Sequence, residues 1–181
     1  RSPAQQAEDG DDADRGQQRR AGLAGRIMDA AVVAREPGNR GDGGKQGSGL
    51  GKHVAEKLLA ANELLQKDAY DDALAIVDQL AKRRSLKPPE LAQIHRFRGY
   101  IFVNKGMTEQ AADELQKSLD QHAFDRSTEQ LTTYSLAQLY TQLGRYDRAL
   151  ALIDGWFANA ESPPADAYYL KAMILVQQEK F

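Results

Sequence analysis

Apolar positions along residues 53–179 recur at helical spacing, in blocks parted by short polar breaks. Val54, Leu58, Ala61 and Leu65 share one face, as do Ala73, Leu74, Val77, Leu80 and Ala81. Ile94, Arg98, Ile101 and Phe102 line the next block, and Ala111, Ala112, Leu115 and Leu119 the one after. The clearest blocks hold Leu136, Leu139, Tyr140 and Leu143, then Ala149, Leu150, Ile153, Trp156 and Phe157. The spacing predicts helices over 53–67, 70–84, 90–105, 108–123, 128–143, 146–160 and 165–179.

The blocks repeat. Ala73, Ala111 and Ala149 stand 38 residues apart, and Ala61, Gly99 and Ala137 keep the same step upstream. A further unit opens at Ala172, after a step of 35. Small residues at fixed offsets, recurring at this period, mark helix–turn–helix units that stack into a solenoid. A small side chain in mid-helix lets paired backbones approach closely. The predicted fold is all-α, a right-handed superhelix of about three and a half helix pairs, with units at 54–89, 90–127, 128–164 and a partial one at 165–181.

Punctuation agrees with the repeats. Gly106 and Gly144 fall at the turns inside two pairs, where glycine takes a left-handed backbone at little cost, and Asp68 and Glu179 hold the matching places in the others. Pro88-Pro89 and Pro163-Pro164 separate units, because proline ends one helix and is tolerated in the first turn of another. Ser127 to Gln130 fits a capping box.

Composition adds a boundary. Ten of the 15 glycines lie before position 50, whereas every aromatic residue lies after it. Residues 1–51 therefore read as a low-complexity, disordered tail, lacking side chains that could offset the entropy of an ordered backbone. Their one apolar stretch, Leu23 to Ala34, is interrupted by Arg26 and Asp29 and does not make a secretory signal. The chain opens on Arg1 and stops at Phe181, where the partner of the last helix is due, so a piece of a longer protein is expected. The formal net charge is −2 with both signs interspersed, which argues against a nucleic-acid surface. No apolar run reaches the roughly 20 residues of a membrane span. The chain has no cysteine, hence no disulfide and no thiolate metal site.

The repeats resemble tetratricopeptide repeats from residue 54 to residue 181, and LAQLYTQLGRYDRALALIDGWF carries that pattern best. They run longer than the usual length of about 34. The first unit has Ala60-Ala61 where the family favours Leu-Gly, and Trp156 replaces a small residue. A narrower resemblance links residues 127–181 to bacterial repeat proteins found alongside the TonB–ExbB–ExbD energy-transducing system. Tyr134, Leu136, Ala137, Gln138, Leu139, Tyr140, Tyr146, Ala149, Trp156, Phe157, Ala160, Pro163, Ala167 and Tyr168 fit the pattern of those proteins. The resemblance implies a periplasmic or cell-envelope protein supporting outer-membrane transport, with components of that system as partners. A cytoplasmic location is the alternative.

In such a stack the first helix of each pair lines an inner surface. The pattern places Asn62, Gln66, Arg96, Tyr100, Asn104, Tyr134, Gln138, Thr141, Gln142, Tyr169 and Gln177 there. Carboxamides match both donors and acceptors of a peptide backbone, and tyrosine adds contact area at low entropic cost. Repeat domains of this family that capture acidic C-terminal tails use a Lys/Asn and Lys/Arg clamp. Here Leu58, Leu131 and Ser135 occupy three of its places, so that mode is not expected.

Little else suggests chemistry. His53, His95 and His122 lack a partner at helical spacing, so neither a metal site nor a catalytic histidine is expected. GSGLGK at 47–52 lacks the leading glycine and the closing Ser/Thr of a phosphate loop, and reads as a linker. Asp71, Asp72, Glu109 and Asp147 fall in first turns, where the helix dipole favours negative charge. Trp156 and Phe157 are expected to divide, one packed inward and one partly outward. The sequence therefore predicts a non-catalytic, cofactor-free scaffold that binds a protein or peptide in a concave groove. The competing reading is the docking part of a longer enzyme. Weak self-association through Leu170, Ile174, Leu175 and Phe181 of the last helix is a further expectation.

Overall fold

The computed structural model describes residues 50–178. All of the expected tail at residues 1–51 except Leu50 and Gly51 lies outside the described residues, as do the Glu179 turn and the exposure of Phe181. The described residues form seven helices and no strand. These are α1 (Lys52–Leu65), α2 (Tyr70–Ala81), α3 (Pro88–Asn104), α4 (Thr108–Leu119), α5 (Arg126–Gln142), α6 (Tyr146–Asn159) and α7 (Ala165–Gln178). Each packs on the helix before it and the helix after it, and α1 also reaches α3. The helices thus march along an axis in pairs instead of gathering about one centre. This is the predicted all-α solenoid.

The small-residue positions carry the packing. Ala61, Gly99 and Ala137 are buried on the first helices, and Ala73, Ala111 and Ala149 on the second helices. Around them lie Ile94, Ile101, Leu115, Leu136, Leu139 and Ile153, all fully buried.

One hydrogen-bond motif closes each of the three turns within a pair. Ala69 N–H donates to Leu64 C=O at 3.0 Å, Met107 to Phe102 at 2.9 Å, and Arg145 to Tyr140 at 2.8 Å. The residue before each donor is left-handed: Asp68 at φ 57°, Gly106 at 72° and Gly144 at 70°. This six-to-one closure satisfies carbonyls that a helix end leaves unpaired.

Three local readings differ from the sequence expectation. The α2 and α4 helices stop at Ala81 and Leu119, short of 84 and 123. After Ala81 the side chains Lys82 to Ser85 are all exposed, so a longer helix would bury nothing. After Leu119, His122 turns left-handed at φ 49°. The α5 cap is Asp125 rather than Ser127: its carboxylate accepts from Thr128 N–H at 2.9 Å and from both the Ser127 and Thr128 hydroxyls. Gln130 instead donates, like Arg126, to the Asn159 carbonyl at the end of α6, each at 2.7 Å.

Glu90 ties two helix starts together. Its carboxylate accepts from Lys87 N–H at 2.8 Å at the head of α3, and from Gly51 N–H at 3.0 Å at the head of α1. The Gly51 amide is therefore engaged in a helix start, and Lys52 is already helical.

Candidate functional site

Registering the first helices on their small residues sorts the candidate side chains into three columns. Leu58, Arg96, Tyr134 and Tyr169 make the first; Asn62, Tyr100, Gln138 and Met173 the second; Gln66, Asn104, Gln142 and Gln177 the third. They differ in what they offer.

The first column opens along the stack. Leu58 is buried and Arg96 is 7% exposed, whereas Tyr134 is half-buried and Tyr169 is 72% exposed. In the second column Tyr100 is 4% exposed, while Asn62, Gln138 and Met173 are half-buried. The third column is the most accessible: Gln66 and Gln142 are exposed, and Asn104 and Gln177 half-buried. Asn104 donates to the Tyr100 carbonyl at 2.9 Å, and the Thr141 hydroxyl to the Ala137 carbonyl at 2.8 Å.

Arg96 and Tyr100 lie inside the protein. The Arg96 guanidinium sits 5.6 Å from the ring centroids of both Tyr100 and Phe124, a geometry that favours a cation. The Tyr100 hydroxyl bonds to Thr132 and Arg96. Burial pushes the Tyr100 pKa up, against the opposing pull of the Arg96 charge. Arg96 Nε and Gln138 Oε1 are buried and find no hydrogen-bond partner among the described residues.

A run of aromatic rings crosses the last helices. Tyr134 lies 5.4 Å from Trp156, Trp156 meets Phe157 edge-on at 5.4 Å, and Phe157 lies 4.9 Å from Tyr168. Trp156 and Phe157 do not divide as expected, since both are half-buried and each supports the other's edge. Lys171 Nζ stands 5.5 Å over the Phe157 ring and 2.6 Å from Asp154.

Sequence reasoning missed a charge cluster on α2, α3 and α4 built round a buried glutamate. Glu114, 4% exposed, is met by His95 Nδ1 at 2.8 Å, Lys117 Nζ at 2.8 Å and Arg98 Nη1 at 3.4 Å. Arg98 Nε lies 3.1 Å from Asp78 in turn. Burial would raise the Glu114 pKa. Hydrogen bonds from His95 and Lys117, with the Arg98 charge, overcome it and hold the pKa at about 2. The available signal was a glutamate between Ala111, Leu115 and Ser118 on the buried stripe of α4, opposite an arginine in the apolar stripe of α3.

The first-turn acids also do more than face the helix dipole. Asp71 pairs with Lys105, Glu109 with Arg145, and Asp147 accepts from Gln178 at 2.8 Å. The Asp71 and Asp147 contacts join the second helix of one pair to the end of the first helix of the next, and Glu109 joins α4 to Arg145 at the head of α6.

Among the described residues no group of His, Asp or Glu is placed to hold a metal ion, and no helix is long and apolar enough to cross a membrane.

Stacked helix pairs define a helical-repeat protein. The tetratricopeptide repeat family model matches residues 58–126 and 134–181, and the chain belongs to the tetratricopeptide repeat family. Domains of this family mediate protein–protein interaction. No curated protein matches the chain.

Proposed function

We propose that the chain is a non-catalytic scaffold that holds an extended segment of a partner protein along its first-helix surface. The observation that carries this reading is the third column. Gln66, Asn104, Gln142 and Gln177 repeat one carboxamide-bearing position on all four first helices, and Tyr169, 72% exposed, stands at the open end of the first column. An amide offers both a donor and an acceptor, so a ladder of amides suits the alternating N–H and C=O groups of an extended chain. Tyr134 and Tyr169 supply the aromatic anchors, where binding energy concentrates. Arg96 and Tyr100 shape the wall behind them.

The partner belongs, on this proposal, to a bacterial cell-envelope assembly of the TonB type. The Trp156-Phe157 pair and the proline-bearing segment after it support that setting, since they resemble the repeat proteins that accompany TonB, ExbB and ExbD. Affinity purification of the full chain from its own cells, with identification of co-purifying proteins, tests it. Recovery of TonB, ExbB or ExbD is expected, and their consistent absence would reject the envelope role. The groove is tested with Gln66→Ala, Gln142→Ala and Tyr169→Ala combined. These exposed side chains can be removed without unfolding the stack, so partner capture falls while helicity stays constant. Unchanged capture would overturn the groove.

A further inference from the structure

Arg96 is the one buried cation among the described residues, and no carboxylate there lies within ion-pair distance of it. Arg98, two residues on and more exposed, has Asp78 at 3.1 Å and Glu114 at 3.4 Å. The Tyr100 and Phe124 rings attract the Arg96 charge without accepting its N–H bonds. The Tyr100 hydroxyl is a single acceptor for a fork of several donors, and Nε stays buried and unpaired. A cation held this far from water is unfavourable until an anion meets it.

An exposed apolar side chain stands beside this cation. The Tyr100 hydroxyl meets Thr132 of α5 as well as Arg96, and Leu131, the residue before Thr132, is 41% exposed. Ahead of α7 no other large apolar side chain among the described residues is exposed. On α7 itself Leu170 and Ile174 are buried where the helix packs on α6, which corrects the expectation that they stand open. Leu131 falls one turn before Tyr134, on the same first-helix surface as Arg96. Arg96 and Leu131 belong to the second and third helix pairs, with described helices on either side.

We infer that, in the groove proposed above, Arg96 takes the side-chain carboxylate of an aspartate or glutamate in the partner's extended segment, and Leu131 takes an apolar side chain about three residues away in that segment. Packed helices lie about 8–10 Å apart, a distance that about three residues of extended chain span. A carboxylate matches the in-plane fork of a guanidinium with two parallel hydrogen bonds. A doubly charged phosphate would call for a second cation, and Arg98 is already neutralised by Asp78 and Glu114. Leu131 stands where the family's clamp for C-terminal carboxylates has a cation, so the acid read here is a side chain and not a chain end. The amide column reads backbone, and Arg96 with Leu131 adds a sequence preference to it.

Selection of short random peptides, displayed on phage, against the full chain tests this preference. Enriched sequences should carry Asp or Glu with an apolar residue about three positions away. The tightest of them, labelled and titrated against the unaltered chain, should lose about tenfold or more in affinity when its acid is replaced by the amide. Arg96→Lys keeps the charge and loses the fork, so it should narrow the gap between the acid and amide peptides. Leu131→Ala should weaken both peptides equally, with an unchanged circular dichroism spectrum because Leu131 is exposed. Peptide capture that responds to Gln66→Ala, Gln142→Ala and Tyr169→Ala but ignores the acid overturns this inference and leaves the groove standing. An unchanged gap in Arg96→Lys places the acid elsewhere and overturns it too, as does tighter binding of a phosphoserine peptide than of its glutamate counterpart. No enriched peptide, or capture indifferent to those three groove substitutions, overturns the groove and this inference with it.

Discussion

A Cβ built on Gly99 would stand 2.5 Å from Leu115 Cδ2 and 2.9 Å from Leu115 Cγ. Leu115 is fully buried, so its side chain has nowhere to swing, and the Ala111 carbonyl oxygen closes the other side at 3.4 Å. Glycine here serves close approach of α3 and α4, not a special backbone angle. Gly99→Ala should therefore destabilise the protein by about 1–3 kcal/mol. Gly155, exposed within α6, has nothing within 4 Å of its added Cβ. Gly155→Ala should stabilise by about 0.5–1 kcal/mol through helix propensity alone. Thermal unfolding of the two variants should move in opposite directions. A shift of the same sign in both would show that the notch does not set the packing.

That notch was legible in the sequence because packing repeats with the chain: each small residue sits at a fixed offset, and each burial follows. The left-handed turns at Asp68, Gly106 and Gly144 were legible for the same reason. The first-helix surface was legible only as far as helical phase reaches. Phase places Arg96, Tyr100 and Tyr169 on neighbouring stripes, but burial of the first two depends on Phe124, in the connection after α4, and on Thr132 of the next unit. The Glu114 cluster was hidden because its partners lie on two helices, α3 and α4, and a charge in an apolar stripe looks like noise until its counter-charges are in place.

Glu114 makes stability depend on pH in a defined direction. Its pKa falls from an ordinary 4.5 to about 2 in the folded protein. The unfolded chain therefore takes up the proton first as pH drops. The contribution is fully present above about pH 4.5 and is lost as pH falls toward about 2. Glu114→Gln should cost about 1–3 kcal/mol at neutral pH, since His95, Arg98 and Lys117 lose their carboxylate. It should also flatten the stability profile across that acid window. Urea midpoints measured from pH 7 to pH 2 decide the matter, and an unchanged acid slope in Glu114→Gln would assign the effect elsewhere.

Asp125 should behave as the cap that the sequence assigned to Ser127. Its hydrogen bond from the Ser127 hydroxyl, with those from the Thr128 amide and hydroxyl, holds its pKa at about 2 despite some burial. Asp125→Ala should cost about 0.5–2 kcal/mol, the usual loss for an N-cap. Ser127→Ala removes one hydroxyl donor from an exposed carboxylate and should cost less. Equal losses in the two variants, measured by denaturant unfolding, would return the cap to Ser127.

Tyr100 and Tyr169 occupy first helices two pairs apart, and truncating each should separate structure from recognition. Tyr100→Ala empties a filled, buried site beside Arg96, so a loss of about 3–5 kcal/mol is expected. Tyr100→Phe keeps the ring under the Arg96 cation and gives up only the hydroxyl, costing about 1–2 kcal/mol. Tyr169→Ala should change stability by no more than about 0.5 kcal/mol, because its ring is largely in solvent. Binding should show the reverse order once each variant is assayed well below its unfolding temperature. Tyr169→Ala weakens partner capture, whereas Tyr100→Phe leaves it near the parent value. If Tyr100→Phe abolished capture while Tyr169→Ala did not, the recognition surface would have to be moved from the open columns to the interior between the second and third helix pairs.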